Sequence, residues 1–68
     1  MMMQPVESSN VAAVGYDPQT KEMAVRFKSG STYVYSGVSP EEHEALLSAD
    51  SVGRHFNAQF RSRVARKQ

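Results

Sequence analysis

Glu22-Met23-Ala24-Val25-Arg26-Phe27-Lys28 changes character at nearly every step, and this alternation constrains the fold more than any other feature of the chain. Met23, Val25 and Phe27 fall on one face and Glu22, Arg26 and Lys28 on the other, the pattern of an antiparallel strand buried on one side. Such a strand needs neighbours, and the flanking sequence supplies two. Upstream, Val11-Ala12-Ala13-Val14-Gly15-Tyr16 leads into Asp17-Pro18-Gln19-Thr20, where Asp and Pro occupy the positions favoured in a type I turn. Parity then pairs Tyr16 with Met23 and Val14 with Val25. Downstream, Tyr33-Val34-Tyr35 follows Lys28-Ser29-Gly30. A two-residue Ser29-Gly30 loop sets Val25 opposite Val34 and scatters the large apolar side chains. A three-residue loop with a left-handed Gly30 sets Val25 opposite Tyr33 and Met23 opposite Tyr35, which gathers them on one face. The second register is the expected one, with Val34 outward.

Ser39-Pro40-Glu41-Glu42 predicts a helix start, with a capping serine, proline at the first helical position and Glu three residues after the cap. At helical spacing His43, Leu46 and Leu47 share a face, while Glu41, Glu44 and Ser48 point away. Ser51 is expected to cap a second helix in which Val52, Phe56, Phe60 and Val64 form an apolar stripe, Arg54 and Arg61 lie away from it, and Arg66 and Lys67 fray. The resulting expectation is an α+β domain: a three-stranded antiparallel meander covered on one face by two C-terminal helices. Three strands alone lack independent stability, so the helical cover is required. Val14, Tyr16, Met23, Val25, Phe27, Tyr33, Tyr35, Leu46, Leu47, Phe56 and Phe60 form the expected core. Residues 1–7 are expected to be a flexible lead unless they pair with a sheet edge, and residues 8–68 a single domain.

Sixty-eight residues suffice for one core and not two. The chain has no cysteine, which removes disulfides, a thiolate nucleophile and cysteine-ligated zinc together. Its apolar runs fall far short of the about 20 residues that span a bilayer. The start has neither the charged segment nor the apolar stretch of a signal peptide, so a cytoplasmic protein with no membrane partner is expected. His43 and His55 lack a third ligand at suitable spacing, so no metal is expected. Glu41, Glu42, Glu44 and Asp50 read as a solvated face. Ser8, Ser9, Ser29, Ser31, Ser39 and Ser51 sit where turns and caps want hydroxyls, and no nucleophile elbow or phosphate-cradling glycine loop is present. The reading is of a non-catalytic domain with no cofactor and no evident small-molecule substrate.

Three motifs in order carry a family resemblance: Ser8-Ser9-Asn10-Val11-Ala12-Ala13-Val14-Gly15-Tyr16-Asp17, the central Tyr33-Val34-Tyr35, and Ser51-Val52-Gly53-Arg54-His55-Phe56-Asn57. Together, over about residues 6 to 64, they resemble the KTSC domain, which is named for the C-terminus of some lysyl-tRNA synthetases and also occurs as short bacterial and phage proteins. The family has no established function; its occurrence in the synthetases suggests RNA binding, and the resemblance supplies no catalytic residue. It implies structural roles for Ser8, Ser9, Asn10, Tyr33, Tyr35, Gly53, Phe56 and Asn57. Family members often carry an aromatic residue where this chain has His43, which implies a packing position at the core's edge.

Charge supplies the remaining functional signal. The chain up to Gly53 holds Lys21, Arg26 and Lys28 against all seven acidic residues, a balance of −4, whereas the remainder holds Arg54, Arg61, Arg63, Arg66 and Lys67 with no acid, +5. A basic helix end accounts for part of this, since the helix dipole favours cations there. The asymmetry also fits an anionic partner. The leading expectation is a nucleic-acid-binding, RNA-directed module using Arg26, Lys28, Arg54, Arg61, Arg63, Arg66 and Lys67. The alternative is a protein–protein interaction module acting through a spare sheet edge or a helix face. Tyr33 and Tyr35 either complete the core or stack on bases; the register favours the core.

Overall fold

The computed structural model describes residues 2–68. Its elements are β1 (Met3–Pro5), β2 (Val11–Asp17), β3 (Glu22–Phe27), β4 (Thr32–Tyr35), α1 (Pro40–Leu47), α2 (Val52–Gln59) and β5 (Ala65–Lys67). The strands form one antiparallel sheet in sequence order, β1-β2-β3-β4-β5. The α+β class and the two helices agree with the sequence, but the sheet has five strands where three were expected. Met3–Pro5 finds the edge of β2, and Ala65–Lys67 is an edge strand on β4 rather than a fraying helix end. Met1 lies outside the described residues.

Both hairpin registers are as the alternation requires. Tyr16 faces Met23 and Val14 faces Val25, then Val25 faces Tyr33 and Met23 faces Tyr35. Gly30 takes a left-handed φ of 101°, and the Phe27 N–H donates to the Ser31 carbonyl at 2.8 Å, closing a three-residue loop. The first turn runs one residue longer than a plain four-residue turn. The Lys21 N–H reaches the Asp17 carbonyl at 2.8 Å with Lys21 itself left-handed, and the Asp17 carboxylate accepts from the Gln19 N–H. A bulge between Val11 and Ala13 shifts the phase of β2. Val11 therefore joins Val14 in the core although they stand an odd three positions apart.

The capping box at Ser39 is complete: its hydroxyl accepts from the Glu42 N–H, and the Glu42 carboxylate accepts from the Ser39 N–H. Ser51 caps α2 by accepting from the Arg54 N–H. The helices cover the face bearing Val14, Met23, Val25 and Tyr35, with Leu46, Phe56 and Phe60 at the centre of the core. The rings of Phe27, Tyr35, Phe56 and Phe60 meet edge to face or stacked at 5.4–5.8 Å, a favourable spacing for aromatic pairs. Tyr35 is buried and Tyr33 half-buried against the same core, so both phenols turn inward.

The apolar stripe expected to reach Val64 stops earlier. α2 ends at Gln59 and Phe60 caps it, while Val64 is 93% exposed. The chain must leave the helix there to bring Ala65 alongside Tyr35. Val34 points away from the helices, as parity demands, yet it is only 3% exposed rather than part of an open apolar patch. It sits mid-sheet once β5 has paired, with longer side chains rising around it.

Candidate functional site

Ser8 and Asn10, just before β2, pack against the first turn of α2. The Ser8 hydroxyl donates to Asn10 Oδ1 at 3.0 Å and accepts from the Asn10 and Val11 N–H groups, each at 3.3 Å. This polar knot lies directly against Gly53, where an added Cβ would stand 2.8 Å from Asn10 Oδ1 and 2.9 Å from Ser8 Oγ. Gly53 is thus required for close approach between α2 and the start of β2. The Asn10 carbonyl also accepts from the Lys28 N–H at 2.9 Å, which ties the knot to the β3–β4 turn. Phe56 is core, whereas Ser9 and Asn57 are exposed.

The seven candidate cations separate into groups. Arg63 is occupied: its guanidinium donates to Glu42 Oε2 at 2.7 Å and to the Gly37 carbonyl at 3.0 Å, and it lies 4.9 Å from the Phe60 ring centre. These bonds pin the segment after α2 to the start of α1, so Arg63 is removed from the candidate phosphate contacts. Arg66 stands on the helix-free face of the sheet and donates to Glu22 Oε2 at 3.2 Å. Arg61 lies beyond the Gln59 end of α2, whereas Arg54 lies in its first turn. Arg54 and Arg61 thus flank opposite ends of α2.

Arg26, Lys28, Arg54 and Lys67 do gather at one end of the molecule. Arg26 pairs in register with Thr32, whose carbonyl accepts from the Gln68 N–H at 2.8 Å, and Lys67 faces Tyr33. Lys28 is joined to Asn10, and Asn10 to the α2 start that carries Arg54. Among the described residues none of these four makes an ion pair. The half-buried rings of Phe27 and Tyr33, edge to face at 5.9 Å, lie on the helical side of the same end.

Five of the seven acidic residues lie toward the other end. Asp17 and Glu22 flank the first turn, and Glu41, Glu42 and Asp17 add to burial in raising the Tyr16 pKa. The Tyr16 hydroxyl donates to the Val38 carbonyl at 2.6 Å, and its ring stacks on His43 at 4.5 Å, 12° from parallel. Burial holds the His43 imidazole below its usual value, with Glu44 pulling the other way. The Ser39 backbone bond holds the Glu42 carboxyl below the usual range, and Arg63 adds to this. Glu7 and Asp50 are set apart on the β1 side, around a shallow hollow with Pro5 and Leu47.

Sequence reasoning missed one feature altogether. The helix-free face holds a hollow of about 290 Å³ between Met3, Arg26 and Arg66, floored by Ala24 and Val34. Its walls come from β1 and β5, the two strands that the alternation pattern is too short to reveal. No helix among the described residues is long and apolar enough to cross a membrane.

The geometry has close counterparts. A protein of Tsukamurella paurometabola is 53% identical over 55 residues, 81% of this chain and 82% of that relative. An uncharacterized protein of Stutzerimonas stutzeri is 48% identical over 56 residues, 82% of this chain and 79% of that relative. The crystal structure of a KTSC domain protein from Yersinia pestis superposes with a TM-score of 0.91 at 36% identity, covering 98% of this chain and 96% of that one. The KTSC domain model itself matches residues 7–63, the span that contains the Ser8–Asn10 knot, both hairpins and the Gly53 contact. The chain belongs to the KTSC domain family.

Proposed function

We propose that this domain is a non-catalytic module that binds single-stranded nucleic acid, RNA in the first instance, at the end carrying Arg26, Lys28, Arg54 and Lys67. The observation that supports it is the separation of charge along the strand axis. Four cations without ion-pair partners among the described residues stand near the β3–β4 turn, on the ends of β3 and β5, in the turn and at the α2 start, while five of the acids stand at the opposite end. A polyanion approaching along this axis meets attraction at one end and repulsion at the other, which orients it before contact. Phe27 and Tyr33 offer partly exposed rings on the helical side of this end, next to Lys28 and Lys67, the combination of charge and stacking surface used for unpaired strands.

Fluorescence polarisation with a labelled single-stranded RNA at two salt concentrations tests this reading. Four phosphate contacts correspond to a slope of log K against log salt of about −3. Absence of binding at micromolar protein in low salt refutes it. Strand addition by a protein partner is less well supported, because β1 and β5 occupy both edges expected to be free. Each is three residues long, and β1 carries Pro5 while β5 carries Arg66 and Lys67, features that discourage edge pairing.

A further inference from the structure

We propose that the hollow on the helix-free face of the sheet is a nucleotide site, taking a planar heteroaromatic ring that bears a phosphate. The row Met3–Gly15–Ala24–Val34–Arg66 runs across all five strands in register on this face. Long side chains end the row and small ones fill its middle, so a trough forms without any covering element. Ala24 and Val34 are 4% and 3% exposed and make an apolar floor, whose backbone groups are engaged in the ladder on both sides. The Arg66 guanidinium donates to Glu22 at 3.2 Å at the trough's edge, and a guanidinium plane stacks on rings. Met3, on the opposite wall, supplies a thioether that also favours aromatic contact. Floor and walls together select a flat ring.

The other end of the trough selects an anion. Arg26 lines it with Thr32 and Gln68, and no carboxylate pairs with Arg26 among the described residues. Glu22 sits four positions away on the same strand, about 13 Å, and is already bonded to Arg66. The trough is thus cationic at the Arg26 end and neutralised at the Glu22 end, which sets the ligand's direction: phosphate on Arg26, ring toward Arg66. The nucleotide is either free or part of a strand, and only the second source rests on the function proposed above.

Titrating the isotope-labelled protein with adenosine monophosphate tests the site directly. The expected result is saturable shifts of the Ala24, Thr32 and Val34 amides. Adenosine without phosphate, and the Arg26→Gln variant, are expected to bind about tenfold more weakly, the loss of one charge-assisted contact. Ala24→Leu, which fills the trough from a face no helix covers, is expected to abolish binding while keeping a cooperative melt. Should it fail to fold, Arg26→Gln carries the test alone. No saturable shift at millimolar nucleotide, or the same shifts with inorganic phosphate alone, overturns the proposal. Weaker RNA binding by Ala24→Leu assigns the site to a strand, and unchanged RNA binding with lost nucleotide binding assigns it to a free nucleotide. Nucleotide binding by a protein that ignores RNA overturns the function proposed above and leaves the site standing.

Discussion

Gly53 and His43 show how single side chains set the fit between helices and sheet. Alanine is the better helix former by about 1 kcal/mol, yet at position 53 its methyl meets Asn10 Oδ1 and Ser8 Oγ inside contact distance. Gly53→Ala is therefore expected to lower stability by about 1–2 kcal/mol. In a Ser8→Ala, Asn10→Ala background the same exchange is expected to become neutral or stabilising, and thermal melts of the four proteins check the coupling. His43 acts through its protonation. Its folded-state pKa lies below the ordinary value for histidine because burial, with its ring stacked on Tyr16, disfavours the charged form. The stability it contributes is complete above the unfolded pKa and declines as pH falls through the folded one. His43→Phe, which keeps a ring on Tyr16, is expected to melt at nearly the same temperature at pH ~5 and ~7.5, whereas the parent loses stability at the lower value. Equal pH dependence in both proteins would show that the stack is not the source.

At the scale of elements, β5 has an importance out of proportion to its three residues. It pairs with β4 through Tyr33, Val34 and Tyr35, places Ala65 against the core and brings Arg66 over the open face. Arg63 anchors the preceding segment to α1 through Glu42 and to the preceding turn through the Gly37 carbonyl. Deleting Ala65–Gln68 leaves β4 as a bare edge and exposes Val34. The truncated protein is expected to melt at a lower temperature and to associate with rising concentration, as unprotected edges do. Analytical ultracentrifugation at several concentrations checks it, and a truncated protein that stays monomeric and equally stable contradicts the role given to β5.

The whole molecule combines one small core with one charge axis. Phe56 contacts the rings of Phe27, Tyr35 and Phe60. Phe56→Ala is expected to cost about 3–5 kcal/mol, of the order of the total stability of a domain this size, and denaturant titration reads the loss. The charge axis predicts unequal effects of reversing equivalent cations. Lys28→Glu and Lys67→Glu are expected to weaken RNA binding and flatten its salt dependence, each by about one phosphate contact. Arg63→Gln is expected to lower stability while leaving the salt slope unchanged, because its guanidinium is already engaged by Glu42 and Gly37. The same change in slope for all three variants contradicts the division between binding and structural cations.

The two hairpins were legible in the residues because each rests on local rules: alternation in β3, a left-handed Gly30, and parity that leaves one register with all the large apolar side chains on one face. The caps at Ser39 and Ser51 were legible for the same reason. Three-residue β1 and β5 carry no readable period, and their pairing depends on edges that exist only after the central strands have met. Val64 fits helical spacing with Phe60, but the pull of β4 on Ala65 ends the helix first. Charge followed the same division. The excess of cations after Gly53 is a property of the order of residues, whereas which of them remain without an acidic partner depends on distances between elements. Local chemistry determined the strands, turns and caps, and long-range pairing decided the edges, the trough and the cations open to a ligand.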